Sequence, residues 1–504
     1  MDQLAVQLTQ LENAQLLYPL PEEGLYLFKH ALTQDAAYDS LLLKKRREIH
    51  RQVAEAYEEL YPDQLDEYAA MLAAHYAKAG EEAKTAAFAT RAGDRAATLS
   101  AYTEARVHFA SALEALSRLP DIEANRSARI DTTIKQVSVA WGIDNADQNL
   151  ARLFQAEALA QTLPESNRLN LARVHYWIGR VYSYRNEHLR AALYYEQVLA
   201  AAHESEDQEL FGLASALGGR TFFLQGHFGK AALLLGQAIP ALAHIGNWPE
   251  WILTKVSLGI ALAGQGHYQE GRTHGEEALQ KALELNDRTS IVSARGMTAR
   301  VEFMAGDLER MLDETRVVVN EAEGSNPLVH YMVLGFQAWA EGRLGRHETA
   351  RATMAAANAI AAQFGTRLIF ADWFAAASAE IELDAGKTEQ ALRLAEAAVV
   401  EAQTTGGVFS EGIAQRVWGQ ALAIVNGPDD AQAEAHLQKS LMLFEEGEAV
   451  IEAAHTHFAW GKVLRARGNT EAAREHFEKA AAQFQASGLT GELEQTKRLI
   501  DQSS

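Results

Sequence analysis

The chain has 504 residues and a formal net charge of −21, from 67 acidic and 46 basic residues, which argues against a general nucleic-acid-binding or anionic-membrane surface. It contains no cysteine, which excludes disulfides and thiolate metal sites and fits the reducing cytosol, so we expect a cytoplasmic protein. The first residues, MDQLAVQLTQLEN, do not resemble a secretion signal, and no run of 18 uncharged apolar residues predicts a membrane span.

Residues 1–60 do not follow the pattern of the rest of the chain. Leucines at helical spacing come first, residues 18–24 break that helix, and residues 24–28 form a short apolar run that favours a strand. Helices are predicted over about 32–43 and 44–60, and the second begins with a basic cluster that comprises Lys44, Lys45, Arg46, Arg47 and Arg51. This order of elements is typical of the end of a winged-helix domain, so we interpret residues 1–60 as a partial winged-helix-like segment.

Residues 61–166 are predicted to be helical and less regular than residues 167–488. Three helices are expected over about 64–79, 81–97 and 102–118. We therefore assign residues 61–120 to the first helical hairpins. Pro120 ends this section. Residues 121–166 form an irregular unit, with helices near Glu123 to Trp141 and Asn145 to Leu163.

From about Asn167 to Gly488 the sequence repeats with a period of 39 to 41 residues. The clearest sign is a turn residue between two helical segments, at Asn186, Gly226, Gly266, Gly306, Gly345, Gly386, Gly427 and Gly468. A period this steady indicates a solenoid of about eight stacked helical hairpins.

Small residues recur at fixed distances from these turn residues. Seven positions before the turn, or next to that position, stand Gly179, Gly219, Gly259, Ala299, Ala338, Ala379, Gly419 and Gly461. Five positions after it stand Ala191, Ala231, Gly271, Met311, Ala350, Ala391 and Ala473. Two helices cross at 8–10 Å only where few atoms separate their axes, so these positions mark the helix crossings.

The predicted fold is therefore all-α: a right-handed superhelical solenoid of tetratricopeptide (TPR)-like hairpins over 167–488, preceded by the partial winged-helix segment. Residues 489–504 are predicted to form a capping helix and tail, whose charged residues would give the open end of the array a polar surface.

Three strings at the start of the chain resemble a known family. They are YLFKHALTQDAAYDSLL, RREIHRQVAEAYEEL and AAHYAKAGEEAKTAAFATRAGDRAATLSAYTEARVHF, all within residues 25–118. They look like the C-terminal arm of bacterial STAND-type signalling ATPases, in which a nucleotide-switch module precedes a winged-helix domain and a TPR-like array. Many members carry a class III nucleotide cyclase domain, and others a LuxR-type DNA-binding domain. The resemblance implies a signalling role for this chain.

The nucleotide-binding part of that family is not found in this sequence. The P-loop pattern G-x-x-x-x-G-K-[ST] is absent, and the nearest string, which begins at Gly226, lacks both the spacing and the final Ser or Thr. In the family, a winged-helix histidine contacts the β-phosphate of ADP, and His30 matches that position. We expect His30 to bind nucleotide only if a switch domain is supplied in trans, so no cofactor is predicted.

No catalytic or metal-binding pattern is recognised. H-E-x-x-H, G-x-S-x-G and a Rossmann glycine motif are all absent, which predicts that the chain is not an enzyme. His455 and His457 are two residues apart and so lie on different sides of a helix.

Candidate ligand-binding residues come from aromatic and basic side chains on the predicted concave face. Trp339 and Trp373 depart from the register of the packing tryptophans and could belong to a binding surface. Arg180, Arg220 and Arg300 share one position, six residues before the turn, and Arg343 lies four positions along from it. Such a column could bind an acidic partner or a carboxylate ligand, or it could form salt bridges to a neighbouring acidic face.

The leading hypothesis is a non-enzymatic TPR-like scaffold and sensor arm of a signalling ATPase, which binds a protein, a peptide or a small effector on its concave face. One alternative is the regulatory part of a nucleotide cyclase or ATPase whose catalytic domains are missing or on another chain. A second is a transcriptional regulator that contacts DNA through residues 25–51, which the acidic charge of the chain disfavours.

Overall fold

The computed structural model describes residues 3–21, 24–99, 101–140, 145–164, 168–322, 326–365 and 367–502. Within these ranges the chain forms 25 α-helices and one two-stranded sheet, which confirms the all-α repeat fold. The predicted helix end at Trp141 and the predicted start of the array at Asn167 lie outside the described residues. The chain divides into two compact units, residues 1–132 and 133–504.

The first unit contains a β-hairpin, six α-helices and a short 3-10 helix. Its elements are α1 Gln3–Asn13, β1 Leu17–Pro19, β2 Tyr26–Phe28, α2 Ala31–Ser40, α3 Leu43–Leu60, a 3-10 helix Pro62–Gln64, α4 Ala69–Ala79, α5 Glu82–Thr98 and α6 Tyr102–Arg118. The expected strand is therefore β2, which pairs antiparallel with β1 in the register Tyr18 to Leu27. Tyr76 and Phe88 stack at 5.6 Å in the core between α4 and α5.

Helix α7, Glu123–Ala140, spans the boundary between the units, and the second unit continues with α8, Ala146–Ala160. Eight helical hairpins follow, formed by α9 Arg168–Tyr184, α10 His188–Ser205, α11 Gln208–Gln225, α12 Phe228–His244, α13 Trp248–Gly264, α14 Tyr268–Glu284, α15 Arg288–Met304, α16 Leu308–Ala322, α17 Pro327–Arg343, α18 His347–Gln363, α19 Ala371–Asp384, α20 Thr388–Thr405, α21 Val408–Val425, α22 Ala431–Glu446, α23 Val450–Ala466 and α24 Thr470–Ala486. The last helix is α25, Thr490–Asp501.

The turn residues that reveal the repeat in the sequence all adopt left-handed backbone conformations. Their φ angles lie between +61° and +98°, at Asn186, Gly226, Gly266, Gly306, Gly345, Gly386, Gly427 and Gly468. A helix that ends in a left-handed residue reverses direction within a few residues, and glycine or asparagine adopts that conformation at the lowest cost. The period of the sequence is thus the period of the helix ends.

The recurring small residues lie where the two helices of a hairpin cross. A Cβ atom added to Gly259 on α13 would come within 2.6 Å of the carbonyl oxygen of Gly271 on α14, and one added to Gly271 would come within 2.5 Å of the Gly259 oxygen. These are the positions seven before and five after the turn residue. The two backbones are in direct contact there, so neither position admits a side chain without moving a helix.

The array also contacts itself at long range, along a line that we call the inter-turn seam. It joins residues 184–265 to residues 369–448. Asn186 Nδ2 donates to Asp372 Oδ1 at 2.7 Å across 186 residues, and Gln265 Nε2 donates to Glu448 Oε2 at 2.8 Å across 183 residues. The array is therefore coiled tightly enough that its later hairpins pack on its earlier ones.

The two halves of the array differ at their turn residues. A Cβ atom on Gly226 would lie 2.8 Å from the backbone nitrogen of Phe409, across the inter-turn seam. One on Gly386 would have no heavy atom within 4 Å among the residues that the structure describes. Both glycines have positive φ, at +93° and +74°.

We predict that Gly386→Ala lowers the free energy of unfolding by about 1 kcal/mol, which is the cost of a left-handed alanine. Gly226→Ala should lower it by about 3 kcal/mol or more, because the methyl group also meets the backbone of Phe409. Urea unfolding followed by circular dichroism measures both. Equal losses in the two variants would show that the seam is not formed in solution.

Candidate functional site

The inner face of the array is filled by aromatic side chains from the first helices of the hairpins. The rings of Phe336 and Phe370 lie 5.2 Å apart, and those of Trp373 and Phe409 lie 4.3 Å apart. The predicted concave surface is therefore closed by the protein's own side chains over these residues.

Trp339 and Trp373 belong to this packed interior. Their exposed fractions are 0% and 1%, and their indole nitrogens donate to Glu380 Oε2 at 2.5 Å and to the Leu224 carbonyl at 3.1 Å. The expectation that they line an open binding surface is corrected: both are core residues. Trp373 packs across the coil, against Leu224 at a separation of 149 residues. Trp339 packs against the neighbouring hairpins, on Phe303 and Glu380.

Arg180 and Arg220 both pair with one carboxylate, Glu250 on α13. Arg180 Nη1 lies 2.7 Å from Glu250 Oε2, and Arg220 Nη1 lies 2.5 Å from Glu250 Oε1. Tyr176 and Tyr184 place their hydroxyl oxygens 3.1 Å from the Arg180 guanidinium. Burial opposes the ionisation of Glu250, but the two guanidiniums outweigh it and lower the pKa of that carboxyl.

Arg343 belongs to a closed cycle of charges that we call the inner ion-pair ring. Its members are Arg343, Glu380, Arg416 and Glu452, from α17, α19, α21 and α23. Arg343 contacts Glu380 at 3.2 Å and Glu452 at 3.1 Å, and Arg416 contacts Glu380 at 2.9 Å and Glu452 at 2.7 Å. Each charged group thus has two partners of opposite charge.

The ring keeps its carboxylates ionised, although Glu452 is buried and Glu380 is largely shielded from solvent. Glu452 is 4% exposed; burial raises the pKa of its carboxyl, but Arg343 and Arg416 reverse this and hold it far below the ordinary value. Sequence reasoning missed Glu380, Arg416 and Glu452. Only Glu380 carried a signal, because it occupies the position six residues before the turn where three arginines stand in other repeats.

Arg300 on α15 differs from the other three predicted arginines because it has no counter-ion among the described residues. It is 2% exposed, and its Nε and Nη1 atoms have no hydrogen-bond partner within the same part of the chain. Its guanidinium carbon lies 4.7 Å from the ring centre of Phe336 and 4.8 Å from that of Phe370. Burial lowers the pKa of Arg300 to about 9, so the side chain is still cationic at neutral pH.

Asp384, at the end of α19, is close to the inner ion-pair ring. Asp384 is exposed, but desolvation by the surrounding protein and, second, the Glu380 carboxylate raise its pKa to about 6. Burial likewise lowers the pKa of His455, which lies beside Glu452. Asp384 therefore changes charge near pH 6, whereas the carboxylates of the ring stay ionised.

The first unit offers less to a ligand than its sequence suggests. His30 is exposed at the N-cap position of α2, and its side chain makes no capping hydrogen bond. In the basic cluster, Arg46 pairs with Asp39 at 3.0 Å and Arg51 with Glu48 at 2.9 Å, which reduces the charge available to nucleic acid.

Among the described residues, no three histidine, aspartate or glutamate side chains stand close enough to hold a metal ion. None of the described helices combines the length and the apolar character that a bilayer crossing needs.

We predict that Arg416→Met lowers the free energy of unfolding by about 3–5 kcal/mol, because it leaves two buried carboxylates with half of their positive partners. The control is Arg474→Met, which removes an exposed pair with Glu478 and should cost less than about 1 kcal/mol. Urea unfolding measures both. A small loss at Arg416 would mean that the ring does not hold the four helices together.

The raised pKa of Asp384 predicts a pH dependence of definite sign. The folded chain holds this proton up to about pH 6, whereas the ordinary value is 3.8, so the stability that the group contributes is lost as the pH rises through this window. Asp384→Asn should therefore raise the melting temperature at pH 7.5 and have little effect at pH 4. Asp63→Asn, at an exposed position of the first unit, is the control. A pH-independent difference for Asp384→Asn would contradict this prediction.

No protein-family model matches the sequence, and no curated protein matches it. Among solved structures, a Rap protein complexed with competence and sporulation factor is 12% identical; the match covers 83% of this chain and 99% of that chain, with a TM-score of 0.47. Aspartyl phosphate phosphatase F from Bacillus subtilis is 13% identical over 73% and 96% of the two chains, with a TM-score of 0.42. A STAND protein with a tetratricopeptide repeat sensor from Pyrococcus horikoshii is 12% identical over 78% of this chain and 55% of that chain, with a TM-score of 0.36. All three TM-scores are below 0.5, so these likenesses assign no ligand or partner to this chain.

Proposed function

We propose that this chain is a non-enzymatic helical-repeat scaffold, the sensor arm of a signalling ATPase, which binds a protein, a peptide or a small effector inside its repeat array. The observation that carries the proposal is the inter-turn seam. A solenoid whose units touch only their neighbours changes curvature at little cost. Here the coil is held closed by contacts between hairpins more than 180 residues apart.

The polar part of the seam is small enough for a ligand to compete with it. Besides the two side-chain bonds, it contains the bond from Trp373 Nε1 to Leu224 O at 3.1 Å and the backbone bonds from Ile369 N to Tyr184 O at 2.8 Å and from Phe228 N to Gly447 O at 2.9 Å. Each such bond contributes about 1 kcal/mol net. A ligand that binds better to the opened inner face than to the closed one would shift the equilibrium toward the open coil. The size of the shift is the difference between its two binding free energies. Binding of the ligand would thereby change the curvature of the coil.

The link to an ATPase module is supported by the first unit. Residues 25–118 resemble the arm of STAND-type ATPases, and the β-hairpin with α2 and α3 follows the expected order of a partial winged helix. Leu32, Leu42 and Leu43 are 81%, 80% and 64% exposed. Large exposed apolar residues close together in the sequence favour a surface for another protein module, and we propose a cytoplasmic nucleotide-switch module as that partner.

The experiment uses the full chain, immobilised and exposed to a lysate of its native host, and then repeats the binding with each captured protein after purification. We expect at least one partner that protects amides within 168–501 from hydrogen exchange. ATP hydrolysis by the purified chain alone, or the failure of every captured partner to protect amides within this range, would contradict the proposal.

The absence of cysteine permits a direct test of the opening step. In Gln265→Cys/Glu448→Cys, a short bifunctional maleimide should link the two halves of the coil, because the side chains at these positions now touch. We predict that the linked protein loses affinity for the partner, whereas Arg474→Cys/Glu478→Cys, linked within α24, retains it. Equal affinity of the two linked proteins would show that binding needs no opening.

A further inference from the structure

Arg300 is the side chain whose environment the proposed scaffold leaves unexplained. Arg180, Arg220 and Arg343 each contact a buried glutamate, although Arg180 and Arg220 share the one negative charge of Glu250. Arg300 occupies the same repeat position as Arg180 and Arg220 and is more deeply buried than either, but no carboxylate among the described residues contacts it. An unpaired buried charge is costly, and its retention calls for a partner.

The surroundings of Arg300 leave its donors free. Phe336 and Phe370 stand at 78° to each other and form an aromatic corner around the guanidinium. Aromatic rings interact with the cation but accept no strong hydrogen bond in the guanidinium plane. The N–H groups of Nε and Nη1 therefore still require acceptors.

The chemistry of the missing acceptor follows from the geometry. A guanidinium presents its N–H groups in a planar fork that matches the two oxygens of a carboxylate. The corner is apolar and holds a single cation, which suits a monoanion attached to an apolar body better than a phosphate dianion. We propose that Arg300 binds the carboxylate of the ligand that the repeat array senses, which rests on the proposed function.

The site adjoins the inter-turn seam. Phe370 is in the left-handed region with φ +67°, an uncommon conformation for a residue other than glycine, and the preceding residue, Ile369, donates its N–H to Tyr184 O across the seam. The ring that contacts the guanidinium and the bond of the seam are on consecutive residues, which places the anion site next to a contact of the seam.

The test compares the full wild-type chain with Arg300→Met and Arg300→Lys by thermal shift and calorimetry. The probes are acetate, benzoate, and short apolar peptides in two forms, one with a free and one with an amidated C-terminus. We expect benzoate or a free-acid peptide to stabilise the wild type saturably, and we expect the affinity to fall roughly 10- to 100-fold in both variants. Loss of binding on amidation identifies a peptide terminus, whereas binding of benzoate alone identifies a small acid.

Arg300→Met has a second, ligand-free readout. It removes an unpaired buried charge, so its urea midpoint should equal or exceed that of the wild type, in contrast to Arg416→Met. A large loss of stability in Arg300→Met would assign Arg300 to packing and overturn the proposal. No carboxylate response in the wild type, or an equal response in Arg300→Met, would also overturn it.

The two proposals can fail separately. If a purified protein partner binds Arg300→Met and the wild type equally well, the scaffold function stands and the carboxylate site falls. If carboxylates bind through Arg300 while no partner protein is found, the site stands and the signalling role falls.

Discussion

The structure of the array depends on one backbone constraint, the left-handed residue that ends the first helix of every hairpin. It reverses the chain within a few residues and thereby brings two helices together at the small residues on either side of the turn. In the third hairpin this approach is close enough for the backbones of Gly259 and Gly271 to touch. Such contacts leave little freedom in the crossing of the two helices. Repeated eight times, the same local geometry accumulates into a coil.

The coil creates contacts that a single hairpin cannot make. Because its curvature brings hairpins separated by 183 to 186 residues into contact, the first turn residues of the array are buried and the later ones are open. Gly226 and Gly386 have the same role in their own hairpins but different surroundings. A protein built from equivalent repeats thus acquires positions that are not equivalent, and these are where a binding event can act on the whole array.

The charged side chains that point into the array also occupy equivalent repeat positions with different surroundings. One repeat position holds Arg180, Arg220, Arg300 and Glu380, and it directs all four side chains toward the interior. Their partners come from other hairpins: Glu250 serves two arginines, Glu380 enters the inner ion-pair ring, and Arg300 meets two phenylalanines. Burial makes each charge depend on what those distant helices supply. Arg300 is distinctive because of its neighbours and not because of its position.

The sequence by itself determined the fold class, the period, the turn residues and the small residues at the helix crossings. All of these depend on contacts within about 40 residues, and such contacts leave a periodic pattern in the sequence. Only the tertiary structure decided that Trp339 and Trp373 are core residues, that Arg343 has two glutamate partners and that Arg300 has none among the described residues. Those outcomes depend on the accumulated rotation from one hairpin to the next. The rotation brings residues more than 100 positions apart into contact, and no local pattern records it.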